Sequence, residues 1–229
     1  IDHYDICELD EEKIKQLTGV KIFVLDDTYE KHYCNILLNH NFCADIEKYK
    51  NLVPEGCELR CGKNYTLLRE EFFLEKNKIN IHRRNQNPKN VFIAMGGADH
   101  SNINISILKV LEDFPMLISH VVTTTANQHI DLLKDYIKYK DNIFLYINSN
   151  NIAELMSEAD FAIVTPSVTI NEVIYMELPF IVIKTAANQQ YMFEYLSENK
   201  HISLKNFNDK KLNIAIQDMR GSLEMDRFL

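Results

Sequence analysis

The sequence predicts an α/β fold built on parallel sheets, and three observations carry that prediction. Past residue 90, short runs rich in Val, Ile and Phe alternate with segments whose apolar residues recur at helical spacing. Before residue 75 the same alternation appears with fewer members. The composition, 46% hydrophobic and 25% charged over 229 residues, is that of a globular chain long enough for one large domain or two smaller ones.

In chain order, "IDHYD" at the start reads as the last residues of a strand. "EEKIKQLTG" (11–19) is a short helix stopped by Gly19, and strands follow at "VKIFVLDD" (20–27), "CNILLNHN" (34–41) and "GCELRCG" (56–62). Two or three strands and one helix cannot cover both faces of a parallel sheet. Residues 1–74 are therefore expected to be the C-terminal part of a Rossmann-like domain whose first half is absent. "EKNKINIHRRNQNPKN" (75–90) is polar and charged, as an interdomain linker is.

The remainder, 91–229, reads as a complete doubly wound domain with a C-terminal helix and tail. Strands are predicted at "NVFIAM" (90–95), "MLISHVVTTT" (116–125), "NIFLYI" (142–147), "DFAIVT" (160–165) and "PFIVIKT" (179–185). Helices alternate with them at 105–114, 130–139, 151–159, 168–178 and 189–199. Parallel neighbours need such crossovers, and the crossovers are right-handed.

Charge and composition exclude several functions. A net charge of −8 offers no basic stripe for nucleic-acid phosphates. No apolar stretch approaches the ~20 residues of a membrane span, and the N-terminus lacks the basic-then-apolar order of a signal peptide. A cytoplasmic monomer is expected. Cys7, Cys34, Cys43, Cys57 and Cys61 are odd in number and lack zinc-ribbon spacing, so they read as reduced thiols even with His32 and His40 nearby. Asp26-Asp27 follows a strand, but adjacent carboxylates there point to opposite faces, which favours a loop role over metal binding. Neither a metal nor a cofactor is expected.

Ligands of an open parallel sheet bind outside the carboxyl ends of its strands. Three such loops carry suitable residues. In "MGGADHSN" (95–102), Gly96 and Gly97 permit close backbone approach, and Ser101 or Asn102 sits near a helix N-terminus that favours phosphate; a tight turn with an N-cap would use the same residues. In "TPSVTINE" (165–172), Pro166, Ser167 and Thr169 begin a helix with unpaired amides, and Glu172 can accept from vicinal ribose hydroxyls or simply favour the helix start. In "KTAANQQYMF" (184–193), Asn188, Gln189 and Gln190 offer carboxamides that suit sugar hydroxyls and N-acetyl groups, or helix capping. No third glycine follows Gly97 at dinucleotide spacing.

The series Gly-Gly loop, "NIAELM", Ser-x-Thr-x-x-Glu and x-Gln-Gln resembles the nucleotide-binding domain of the two-domain GT-B glycosyltransferase fold. More closely, "IDHY", "VLDD", "RCGKNYTLLREEF", "MGGAD" and "NIAELM" resemble the UDP-sugar hydrolases of pseudaminic acid biosynthesis, from Ile1 to about Leu196. The most specific piece is Gly62-x-x-Tyr65-x-x-Leu68-Arg69-x-Glu71-Phe72. The resemblance implies hydrolysis of a UDP-linked diacetamido-trideoxy sugar at its anomeric carbon. It implies that Gly97 and Asn102, next to Gly96 of the same substrate-binding loop, hold the diphosphate together with the Val168 and Thr169 backbone, that the backbone of Ile152 meets uracil, and that Glu172 meets the ribose. It makes Tyr4 and Asn188 active-site groups and Gln189 a sugar contact. The family's general-base His, in a Gly-rich loop of its first strand–helix unit, has no counterpart here. His3, His100 and His120 do not match it, so the chain as given is expected to be inactive. Pro166 also replaces the family's small residue. A transferase using a UDP-sugar donor and a non-catalytic nucleotide-sugar module are the alternative readings.

Overall fold

The computed structural model describes residues 1–78 and 88–225, leaving aside the side chains of 224 and 225. It divides into two compact units, Ile1–Leu68 and Arg69–Leu229. Most of the expected linker, 79–87, and the end of the tail, 226–229, lie outside the described residues.

In the first unit, β1 (Phe23–Leu25), β2 (Ile36–Asn39) and β3 (Glu58–Cys61) form a parallel sheet in that order. Ile1 adds a parallel bridge beside Val24, donating to the Phe23 carbonyl at 2.6 Å and accepting from Leu25 N–H at 2.9 Å. Helix α1 spans Glu8–Thr18, opening three residues before the apolar spacing because the Asp10 carboxylate accepts from the Cys7 amide at 3.2 Å. Gly19 ends it in the left-handed region (φ 67°), with its N–H on the Lys15 carbonyl. Ile22, Val24, Cys34, Leu37 and Tyr49 make the core. Next to them lies a buried polar chain. Glu11 accepts from His32 Nδ1 at 2.8 Å and from Tyr33 N–H at 2.6 Å, while Asp26 accepts from Tyr49 Oη at 2.6 Å.

The second unit begins with α2 (Glu70–Lys76) and then builds a six-stranded, wholly parallel sheet. Its strands are β4 (Asn90–Ala94), β5 (Ile118–Thr123), β6 (Ile143–Ile147), β7 (Phe161–Val164), β8 (Phe180–Ile183) and β9 (Ile202–Leu204), ordered β6-β5-β4-β7-β8-β9. The crossovers are α3 (Ile103–Leu111), α4 (Ile130–Ile137), α5 (Ile152–Glu158), α6 (Val168–Tyr175) and α7 (Gln190–Glu198), and α8 (Asp209–Met225) closes the unit. The order reverses between β4 and β7, which creates a crevice at the strand ends. Val91 and Ile93 turn toward a core shared with Ile107, Leu111, Leu212 and Ile216 of α3 and α8. Phe92 and Ala94 alternate to the opposite face, where α5 and α6 pack. The Asp160 carboxylate fixes the register of β4 by accepting from Lys89 and Asn90 amides at 2.7 and 2.8 Å. Among the described residues no helix is long and apolar enough to cross a membrane.

Candidate functional site

At the end of β4 the chain turns at Gly96 (φ 81°), a conformation a Cβ would strain although the space around it is open. Gly97 is constrained differently. A Cβ there would stand 2.9 Å from Thr124 Cγ2 and Oγ1. The Gly97 carbonyl accepts from Thr124 N–H at 3.1 Å, Thr123 Oγ1 at 3.1 Å and Thr124 Oγ1 at 2.9 Å, so the loop is stitched to the end of β5. Its own N–H makes no hydrogen bond among the described residues. Asp99 is buried, and its carboxylate caps α3 by accepting from Ile103 N–H at 2.8 Å and Asn104 N–H at 3.2 Å. Burial raises its pKa, and those amides oppose the rise. The helix start that the sequence offered to phosphate therefore already holds an anion. Asn102 sits in the left-handed region (φ 50°), with its Oδ1 buried and unpartnered among the described residues.

The start of α6 is open by contrast. Ser167 occupies the N-cap but makes no side-chain cap bond, and the Val168 and Thr169 amides have no partner among the described residues. Glu172, one turn on, exposes 14% of its side chain and receives Arg69 Nη2 on Oε1 at 3.1 Å. Burial raises the pKa of Glu172, and Arg69 opposes that rise. The other fork nitrogen of Arg69 reaches Glu71 at 2.7 Å, and Glu71 Oε2 accepts from the Ala153 amide of α5 at 3.4 Å.

These features enclose a cavity of about 300 Å³ at the strand-order reversal. Gly96, Gly97, Ile152, Val168, Thr169 and Glu172 line it, each expected from the sequence. Asn102, Asn188 and Gln189 are not among its lining residues. Asn188 is exposed, and the Gln189 carboxamide oxygen is committed to the Thr185 and Ala186 amides at 2.8 and 3.1 Å. An anion at the α6 amides, a diol at Glu172 and a flat ring beside Ile152 would together describe a nucleoside diphosphate.

The chain is 37% identical over 199 residues to the UDP-2,4-diacetamido-2,4,6-trideoxy-β-L-altropyranose hydrolase of Campylobacter jejuni, covering 86% of this chain and 70% of the hydrolase. The chain belongs to this hydrolase family. Among solved structures, MurG of Acinetobacter baumannii aligns with a TM-score of 0.53 at 11% identity, over 92% of this chain and 64% of MurG. WaaG, a glycosyltransferase involved in lipopolysaccharide biosynthesis, aligns with a TM-score of 0.53 at 12% identity, over 94% of this chain and 73% of WaaG. At such identity the likeness concerns the fold, two Rossmann-like parts of GT-B type. No family model matches the sequence.

Among the polar residues that line this cavity, sequence reasoning missed Arg69, Thr123, Thr124, Asn148 and Ser149. Arg69 stood in the quoted motif, yet only the fold reveals that a residue 103 positions earlier meets Glu172. In the first unit, Tyr4 is exposed and its hydroxyl donates to Asp27 Oδ1 at 3.1 Å. Burial raises the pKa of Asp27, the Tyr4 bond opposes the rise, and the adjacent Asp26 adds to it. Asp26 itself is consumed by the Thr28 and Tyr29 amides and the Tyr49 hydroxyl. Among the described residues no three His, Cys, Asp or Glu side chains converge as a metal site.

Proposed function

We propose that the protein hydrolyses a UDP-linked diacetamido-trideoxy sugar in the cytoplasm, releasing UDP and the free sugar for nonulosonic acid synthesis. The observation that carries this reading is the pairing, in one cavity, of the uncapped amides at the α6 start with the ion-paired carboxylate of Glu172. Membership of the hydrolase family supports the reaction type.

In this reading water supplies oxygen to the anomeric carbon while the bond from that carbon to the β-phosphate oxygen breaks. UDP leaves with the electron pair, and the attacking water's proton goes to a general base, a role for which the family uses a His that has no counterpart among these 229 residues. Charge grows on the diphosphate as the bond lengthens, and the Val168 and Thr169 amides at the positive end of α6 meet it, with the Gly97 N–H on the facing loop. Glu172 accepts from the ribose hydroxyls, and the Ile152 backbone meets the uracil edge. The family resemblance also supplies Asn102 for the diphosphate, Gln189 for the sugar, and Tyr4 and Asn188 as active-site groups, none of which lines the α6 cavity.

Calorimetric titration of the 229-residue chain with UDP tests the nucleotide site, and incubation of the full-length protein with the UDP-sugar, without any acceptor, tests the reaction. UDP binding followed by release of free sugar is expected of the hydrolase. Turnover only on adding a hydroxyl acceptor would make it a transferase. Binding without release would leave the chain a nucleotide-sugar module.

A further inference from the structure

The cavity holds one cation that the proposed chemistry has not used. Arg69 is half-exposed, but its guanidinium is held on three sides: Glu71 at 2.7 Å, Glu172 at 3.1 Å, and the ring of fully buried Phe72 with 5.1 Å to its centroid. Glu71 and Phe72 belong to α2, which packs on both α5 and α6. The fork is thus preorganised before any ligand arrives. On the receiving side, Arg69 takes only Oε1 of Glu172, and Oε2 has no partner among the described residues.

We propose that Arg69 is the positioning residue of the nucleotide site, fixing the Glu172 carboxylate by Oε1 so that Oε2 is presented to the vicinal hydroxyls of the ribose. This inference rests on the UDP reading above. Its physical basis is that a carboxylate recognises a diol only while ionised and aimed, and Glu172 is buried next to a second carboxylate, Glu71, with Arg69 as its compensating cation. The neighbouring charges on α2 and after α6 do not substitute for Arg69. Lys76 is paired with Glu177 at 2.9 Å, and Asp99 is turned into the start of α3.

The test measures affinity of the 229-residue chain for UDP and for 2′-deoxy-UDP between pH 6 and 8, and reads the ratio of the two dissociation constants. Titration of the diphosphate cancels in that ratio. The wild-type chain should prefer UDP by about tenfold at every pH, the scale of one hydrogen bond to a charged group. R69M should lose part of the preference, more at pH 6 than at pH 8, because without Arg69 the burial and the Glu71 charge that push the Glu172 carboxyl up go unopposed. R69K, which keeps the charge but not the fork, should keep part of the preference with little change between pH 6 and 8, and E172Q should abolish it throughout. Retention of UDP binding by R69M at pH 8 confirms that the variant is folded.

An R69M ratio equal to wild type at pH 6 would overturn the proposal. So would equal weakening of both nucleotides at all pH values, because that is the behaviour of a direct phosphate ligand. Absence of UDP binding by the wild-type chain would instead remove the UDP reading itself. UDP binding with a ratio unaffected by E172Q would remove the role of Glu172 and leave the diphosphate site standing.

Discussion

Replacing Val168 by Pro separates what the start of α6 does for the fold from what it does for a ligand. Val168 is the first residue of α6, where an N–H has no intrahelical acceptor, and proline is favoured there because its fixed φ suits the first turn. The preceding Ser167 is extended (φ −140°, ψ −171°), the conformation that a following proline requires. The Val168 side chain is 47% exposed, so little apolar burial is lost. The Ile170 N–H bond to the Ser167 carbonyl at 2.9 Å is untouched. Stability should therefore change by less than about 0.5 kcal/mol. The ligand loses one donor to a charged group, worth about 1.5–3 kcal/mol, so UDP should bind roughly tenfold to a hundredfold more weakly. Uridine, which has no phosphate, should bind as before. Thermal unfolding and calorimetric titration with UDP and uridine read the three quantities. Ile103→Pro is the matched control: its N–H is bonded to Asp99 at 2.8 Å and the preceding Asn102 is left-handed, so proline there should destabilise by about 3 kcal/mol. Unchanged UDP affinity in a folded V168P chain would refute the placement of the diphosphate on α6.

Gly97→Ala should destabilise by about 1–3 kcal/mol, because the new Cβ meets Thr124 at 2.9 Å, and Thr124→Ala should relieve much of that cost; additivity of the two in a double-mutant cycle would show that this contact is not the cause. Asp99→Ala should cost about 0.5–2 kcal/mol in denaturant unfolding by leaving the Ile103 and Asn104 amides uncapped. The buried chain in the first unit should give a stability optimum in pH. Burial pushes the carboxyl of Asp26 up, but the His32 ring 3.7 Å away and the hydrogen bonds from Tyr49 and Thr28 outweigh it and hold the group well below the usual range. That stabilisation is present above about pH 4, the unfolded value, and is lost as pH falls toward the native one. Burial pulls His32 down, but Asp26 and Glu11 outweigh it and raise the pKa. Its contribution is complete below about pH 6.5 and fades as pH rises through the higher native value. Unfolding midpoints across pH should therefore decline on both sides, and His32→Gln should flatten the alkaline side; an unchanged alkaline slope would count against the linkage.

The strands of the second unit were legible because burial on both faces writes itself as uninterrupted Val, Ile and Phe. "DFAIVT" and "PFIVIKT" each contain a four-residue strand in which every residue is buried. β9 was not legible: three residues, each only partly buried, leave no such run. The two glycines announced a turn but concealed their division of labour. Gly96 is required by its φ, Gly97 by the approach of Thr124, and the second requirement comes from a residue 27 positions away. Asp99 looked like one polar residue among several in "GGADHSN". Its capping role depends on a left-handed turn (φ 37°) that returns its carboxylate to the helix it precedes. Glu172 could be placed one turn into its helix from spacing alone, but its partner Arg69 could not, since ion pairing across the fold has no local signature.

Asp99 also decides which of two similar helix starts can serve an anion. Both α3 and α6 follow adjacent central strands, β4 and β7. At α3 two of the first amides are occupied by a buried carboxylate of the chain itself. Bringing a diphosphate there would require either displacing Asp99 or placing like charges together in a poorly solvated loop. At α6 the cap side chain makes no bond and two amides remain open. The negative group near α6, Glu172, lies one turn further along and is held by Arg69, so it is compensated where the Asp99 charge is spent on capping. Under the proposed reaction, the stitched loop of Gly96 and Gly97 forms one wall of the crevice and contributes the Gly97 N–H, while α6 carries the charge of the leaving group. The polarity of the site thus follows from one aspartate sealing one helix and one arginine neutralising the other.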